Sequence, residues 1–559
     1  MRKKAKSELE LYNEFENNVD DIINQLDLSN YSLNEILDFF HFSIALRYSG
    51  EQLSSDEYQL GPSGHYLSQL SYLLHLFNNC NKIYQETSID IFQNSKLQKN
   101  FPTLLRYALF SEISPYIRKE VYIPKINNKV LRLEYNENYY DYELRDTVLT
   151  LLATGFSATD DLKNYEVYDH HIRRILDNKF NNEFVISEVS EYKEWYKAYR
   201  FDDLTVSEEI YLKLGLTKIE YIEFQSFWLG LTTYYIKKFE SIIRYLKRTG
   251  DDNNHVLNKE MLRTASINLS KDVFYTTFTD SLIGISKSKF EYLMKLFSFD
   301  TNNKLTLLDG YYPVFFEYKD SYLFSPFSVR VNMSPRNLLY LLNKNHLDIF
   351  NNEVSEHLEP QLISHCISLL SKIDSLKIES NVIWSRKGEF DIIAYDTIHN
   401  IVLHFQAKGT IPVEGARMTR NLESRMQEGI DQISKFNRES QNKKESIISD
   451  IFKHKVSNPN YINILLGWGG FGSYKIWKIM NEEKIVALNL AVLNYFIKNI
   501  EANYDFNDFY DDINNIINLM VDSTNHKKII NRYKIGKYKV FSESFNYEST
   551  KLFKYKYLP

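Results

Sequence analysis

Within GEFDIIAYDTIHNIVLHFQAKG (388–409), an Asp, a Gln and a Lys interrupt runs of Ile, Val, Leu, Phe and Tyr. Such polar groups cost free energy beside a core unless something pairs with them. Side chains alternate along a strand, so Glu389 and Asp391 share one side of GEFD. In IVLHFQAK, Ile401, Leu403, Phe405 and Ala407 form a wholly apolar side, and Val402, His404, Gln406 and Lys408 take the other. The short DTIHN turn pairs the two strands antiparallel. One hairpin therefore gathers oxygen donors from Glu389, Asp391 and Gln406 and an amine from Lys408. Hard oxygens suit Mg²⁺, which keeps several of its waters. An amine beside them suits an anion, so the set asks for a metal ion and a phosphodiester.

A further carboxylate comes from upstream. In EHLEPQLISHCISLLSKI, Ile363, Cys366, Leu370 and Ile373 form one apolar stripe, and Glu359 stands four residues before Ile363 on the same line. Glu356 lies nearly on it, and Glu353 falls off it. A glutamate at the head of a stripe that packs on a sheet points toward the sheet. Pro360 is expected in the first turn of this helix.

An acidic helix residue, then Gly-Glu-hydrophobic-Asp, then a hydrophobic strand ending in Gln-X-Lys resembles the PD-(D/E)XK nuclease superfamily, the restriction-endonuclease-like fold. The Mrr-like branch, in which Gln often replaces the second acid, matches best. The resemblance covers residues 350–500 only. It implies catalytic roles for Asp391, Gln406, Lys408 and Glu359. Asp391 would be the main ligand of Mg²⁺ (or Mn²⁺), Gln406 would offer its amide oxygen, and Glu359 would bind directly or through water. Lys408 would stand beside the attacking water. Glu356 and Glu389 are alternates, and Gln432 in EGIDQISKF matches a helix Gln that often faces the site in the family. Arg417, Arg420 and Arg425, just past Lys408, are candidates for phosphate contacts. His404 reads as a packing or supporting residue.

The elements that position these groups read as a multidomain α + α/β chain. Residues 1–250 read as an α-helical domain: LNEILDFFHFSIAL (33–46), YLSQLSYLLHLF (66–77) and IEFQSFWLGLTTYYIKKFESIIRYL (222–246) place apolar residues at helical spacing. Residues 251–345 form a mixed connector with short strands in 305–327 and a helix at SPRNLLYLLNKN, with Ser334 as its cap and Pro335 in its first turn. Residues 346–500 alternate: a helix over about 355–373, the strand IESNVIWS, the hairpin, a helix over about 416–437, the strands YINILLGWGG and YKIWKIM, and the apolar IVALNLAVLNYFI. This order predicts a mixed central sheet flanked by helices. Residues 501–559 carry a helix at DFYDDINNIINLMV and a basic, aromatic extension. Its Lys, Tyr and Phe suit phosphate contacts with base stacking as well as an edge strand guarded by Lys.

At 559 residues the chain exceeds one core, and 43% hydrophobic with 15% aromatic content excludes disorder as its class. A net charge of −6 confines nucleic-acid contact to local patches. Two cysteines make no disulfide framework, and no stretch reads as a signal core or a membrane span, so a cytoplasmic location without a membrane partner is expected. GWGGFGS (467–473) lacks the GK[ST] ending of a phosphate loop and reads as a flexible strand connection. The expected function is a Mg²⁺-dependent nuclease acting on DNA in preference to RNA. By analogy it belongs in bacterial antiphage defence or restriction, with its helical half sensing an invader, binding a partner protein or self-associating. The alternatives are a catalytically inactive nuclease-fold scaffold and a helical protein-interaction module.

Overall fold

The computed structural model describes residues 7–557 apart from 27, 29, 55–70, 86, 88–94, 119, 137–138, 154–168, 177–181, 199–205, 252–253, 305–311, 334, 387, 412–414 and 502. Its strands are β1 (Tyr122–Asn127), β2 (Val130–Tyr135), β3 (Ile267–Ser270), β4 (Ser298–Asp300), β5 (Phe315–Tyr318), β6 (Ser321–Phe324), β7 (Leu376–Ser385), β8 (Gly388–Asp396), β9 (Ile401–Lys408), β10 (Asn460–Gly467), β11 (Val486–Leu488), β12 (Lys527–Ile535) and β13 (Tyr538–Asn546). They form three mixed sheets, ordered β1-β2-β13-β12, β3-β6-β5-β4 and β11-β10-β9-β8-β7. The chain is mixed α/β, and none of its described helices is long and apolar enough to cross a membrane. Cys80 and Cys366 are both free and buried.

The five-stranded sheet positions the candidate site. β7, β8 and β9 run antiparallel, and β9, β10 and β11 run parallel. One face packs Ile392, Ala394, Leu403, Phe405 and Ala407 against Leu362, Cys366 and Leu369 of the helix Ser355–Leu370. The other packs Phe390, Ile393, Tyr395 and Val402 against Phe436 of the helix Gly415–Asn437 and Ile448 and Phe452 of the helix Gln441–Phe452. The alternation read for β9 thus holds. It breaks in β8, where Phe390 and Ile393, three apart, face the same cluster. Asn381, in the partner strand at this level, has a φ of +54°, the left-handed region that Asn tolerates.

Elsewhere the structure departs from the reading of the sequence in four places. YKIWKIM is not a strand: Tyr474–Glu482 is a helix capped by Ser473, because Ile476, Trp477 and Met480 bury one helical side. Pro360 sits in the second turn, not the first, and a π-helical stretch, Phe350–Val354, leads into that helix. Residues 1–250 are not purely helical: they hold the hairpin β1–β2, and β13, from the other end of the chain, pairs with β2 in parallel. The boundary at 250 does not separate cores either. The helix Tyr140–Ala153 puts Leu144, Val148, Leu149 and Leu152 into the core of the five-stranded sheet.

The long helix Lys218–Thr249 agrees with its reading, with a Thr217/Glu220 capping box at one end and Gly250 in the left-handed region at the other. Its Trp228 packs on Phe315 of β5 and Phe324 of β6, so the connector shares the core of the N-terminal helices. Residues 71–77 of the 66–77 stretch belong to a 3₁₀ helix, Ser71–Asn79; the rest of that stretch and Ser334 lie outside the described residues.

Candidate active site

The site forms where β8 and β9 part. Their ladder ends at Ile392–Phe405. Beyond it, side chains take over the freed backbone groups. The Ala407 N–H donates to Asp391 Oδ2 at 2.7 Å, and Gln406 Nε2 donates to the Glu389 carbonyl at 2.8 Å. Polar side chains therefore lie at this edge because the backbone needs them there.

Lys408 is the hub. Its Nζ lies 3.8 Å from Asp391 Oδ2 and 3.9 Å from Glu359 Oε2. Glu359 comes from the Ser355–Leu370 helix and is held by the Gly409 N–H at 3.4 Å. Gly409 is required by close approach: a Cβ there would meet the Glu359 nitrogen at 2.3 Å and its Cα at 2.5 Å. Above the other face, Gly429 of the Gly415–Asn437 helix leaves room for Lys408, since a Cβ there would lie 3.2 Å from Lys408 Cε and 2.6 Å from Leu465 Cδ1.

Burial raises Asp391 to about 6, against the lowering pull of Lys408 and the Ala407 N–H, with Glu359 and Glu389 adding to the rise. Burial pushes His404 down to about 3, so its ring is neutral at ordinary pH. It is wedged between Phe390 and Phe436, with ring centroids 4.8 and 5.4 Å away. A neutral ring offers one acceptor nitrogen, and His404 Nε2 faces Gln406 Nε2 at 3.3 Å. His404 Nε2 accepts from the Gln406 nitrogen in its Nδ1–H tautomer, and the Glu389 carbonyl, which can only accept, fixes the flip of the amide. Its Oε1 is left buried with no hydrogen-bond partner, although Gln406 is 0% exposed.

The remaining expected residues divide. Glu356 is exposed and lies beside His357, away from Lys408, so Glu359 is the helix carboxylate at the site. The Glu389 side chain is exposed; its carbonyl takes the Gln406 amide, and its charge reaches Asp391. Gln432 lies on the helix between Gly429, which abuts Lys408, and Phe436, which abuts His404; its Oε1 is also buried without a partner. Arg425 is an exposed partner of Glu428 at 2.9 Å, Arg420 is exposed, and the Arg417 side chain lies outside the described residues. Sequence reasoning missed Gly409 and Gly429, although FQAKG and EGIDQ display both glycines beside site residues.

It also missed what GWGGFGS does. The backbone N–H groups of Phe471 and Gly472 and the Trp477 indole all donate to Asp146 Oδ1, and the Gly470 N–H donates to Thr150. The loop is an anion-receiving nest filled by a carboxylate of the Tyr140–Ala153 helix. Burial raises Asp146 to about 6 despite these three donors.

Comparison with protein-family models, with curated proteins and with solved structures finds no match. Among the described residues no three His, Cys, Asp or Glu side chains form a metal-holding group. The site here offers two carboxylates and an amide.

Proposed function

We propose that this chain is a divalent-cation-dependent nuclease whose site is Asp391, Glu359, Gln406 and Lys408, with DNA as the substrate the resemblance favours. The observation that carries the reading is the Gln406 amide: its nitrogen is occupied and its oxygen is buried and unpartnered, one residue before Ala407, whose N–H holds the desolvated Asp391 carboxylate. The order of helix, antiparallel strands, helix and parallel strand supports it, since the resemblance implies that order.

The donors fit a hard cation: Asp391 and Glu359 supply charge, and Gln406 Oε1 lacks any other use. When bound, Mg²⁺ or Mn²⁺ would neutralise charge on the phosphate and raise the acidity of nearby water. Lys408, its stem under Gly429, directs Nζ between the carboxylates, where it can hydrogen-bond and orient a water. Gly409 brings Glu359 to the strand end, and the Glu389 carbonyl holds the Gln406 flip. Cleavage assays on DNA and RNA with Mg²⁺ or Mn²⁺ test this. Asp391→Ala and Lys408→Ala should each reduce the rate by about 10²-fold or more. No cleavage with any divalent ion, or equal cleavage by the variants, overturns the proposal.

One observation favours a second reading, a non-catalytic scaffold: Lys408 is within ion-pair range of both carboxylates, so the site is partly self-neutralised. Calorimetric titration with Mn²⁺ separates the two, because the scaffold gives no binding heat that Asp391→Ala removes.

A further inference from the structure

The sheet β1-β2-β13-β12 joins residues from both ends of the chain, and its two sides differ. The inner side puts Leu131, Leu133, Ile535, Tyr538 and Val540 into the core. The register sets the outer side. Lys125 pairs with Arg132 and Ile123 with Glu134; Arg132 lies beside Phe541; Arg532 pairs with Phe541, Lys534 with Lys539, Ile530 with Glu543 and Lys528 with Phe545. Each strand therefore contributes cations and apolar groups to one outer face, open except at its Lys528–Phe545 end, where both side chains lie against Tyr140. Two-residue turns with Asn128 (φ +53°) and Gly536 (φ +54°) close the two hairpins and fix this register.

The charges on this face do not cancel. Its two carboxylates are already used: Glu134 pairs with Lys125, and Glu543 takes Lys528 at 2.9 Å and the Tyr135 N–H at 2.8 Å. Arg132, Arg532, Lys534 and Lys539 are all exposed, and none has a carboxylate partner among the described residues. Two of these four are already ordered. The Arg132 guanidinium lies 5.1 Å from the centroid of the half-buried Phe541, and that of Arg532 lies 6.0 Å from it. A ring shared by two guanidiniums holds both near the sheet surface, where guanidinium N–H groups can meet phosphate and a guanidinium can stack on a base. On a chain of net charge −6, a concentrated cationic face of this kind is a local exception.

We infer that the outer face of this sheet binds a single-stranded polynucleotide, with Arg132, Arg532, Lys534 and Lys539 contacting phosphates and the Phe541-supported guanidiniums stacking on bases. Strands roughly 4.8 Å apart make a four-stranded face about 14 Å wide, room for two or three stacked bases. Duplex DNA offers phosphates but no open base faces, so the stacking element selects single strands. The proposal is independent of chemistry at Asp391: binding is measured in EDTA, and a protein that never cleaves can still pass this test.

The probes are fluorescein-labelled oligothymidylate and oligouridylate of about 20 nucleotides, longer than the roughly 4–16-nucleotide footprint of one such platform. They are read by anisotropy with the full chain against salt concentration. The Arg132→Ala/Arg532→Ala double variant should bind at least about tenfold more weakly, with a log–log salt slope shallower by about 1.4, at roughly 0.7 per lost phosphate contact. Phe541→Leu keeps every charge and should weaken binding with the slope unchanged, a result that simple charge loss does not give. Lys478→Ala/Lys498→Ala, exposed lysines elsewhere, should have no effect. The tighter of the two probes identifies DNA or RNA. Unchanged affinity in the arginine variant, an equal loss in the lysine control, a full-affinity Phe541→Leu, or equal binding of duplex, heparin or anionic vesicles each overturns the proposal.

Discussion

Asp391→Asn should make the metal-free protein more stable at neutral pH, and the size of the gain follows from the site. Asp391 is 7% exposed, and burial raises its carboxyl from 3.8 to about 6 even with Lys408 nearby. Its folded form holds a proton more tightly than its unfolded form, so ionising it opposes folding. The penalty is absent below 3.8, grows between 3.8 and about 6, and is fully present above that. At about 1.4 kcal/mol per tenfold change in acidity, it reaches roughly 3 kcal/mol. Asparagine keeps an oxygen for the Ala407 N–H and carries no charge. Thermal melts in EDTA should therefore show the variant several degrees more stable at pH 8 and equal to the parent near pH 4. Mn²⁺ should reverse the order. A cation at 1,000-fold its Kd stabilises by about 4.1 kcal/mol, more than the penalty it offsets, and it should do so for the parent alone. Below about pH 6, protonation of Asp391 should weaken Mn²⁺ binding progressively. A variant less stable at pH 8, a difference independent of pH, or equal Mn²⁺ stabilisation of both proteins would refute this account of a carboxylate held at a cost for cation binding.

Substitutions at three further positions probe the supports. Gly409→Ala places a Cβ within 2.5 Å of the Glu359 backbone, so the helix head must move; cleavage should fall by more than about tenfold in initial-rate assays, with a stability loss of roughly 1–3 kcal/mol by chemical denaturation. Gln406→Glu replaces a donor to the Glu389 carbonyl with a second acceptor, so the metal-free melting temperature should drop, while calorimetry should show tighter Mn²⁺ binding from the added charge. Asp146→Ala strands the Phe471 and Gly472 N–H groups and the Trp477 indole and should cost about 3 kcal/mol or more, whereas Asp146→Asn retains an acceptor and should melt within a few degrees of the parent.

Much of the candidate site was legible because its information is local. Two-residue alternation placed Ala407 and Phe405 in the core and Gln406 and Lys408 off it, and four-residue spacing put Glu359 on the buried line of its helix. Local rules failed where tertiary contacts outweighed them. The break in β8 between Phe390 and Ile393 lies level with Asn381 of the neighbouring strand, and nothing in GEFD announces it. YKIWKIM is rich enough in β-branched and aromatic residues to read as a strand, yet burial of Ile476, Trp477 and Met480 against the sheet makes it a helix. Glu356 and Glu359 stood nearly in register on the helical line, and only the approach of Gly409 distinguishes them.

The sequence by itself determined the helical and strand periodicities, the residue types of the site and the absence of a uniform positive charge, because each of these depends on neighbours within about one or two turns of chain. Tertiary structure alone decided which polar groups stay unpaired and which are consumed. Asp146 reaches across more than 320 residues to fill the glycine-rich nest, and Val130–Leu133 pair with Lys539–Ser542 to build a face that neither segment holds alone. Pairing over such separations is set by how whole elements bury their apolar sides, and a hydrogen-bond donor meets its partner only after that packing is complete.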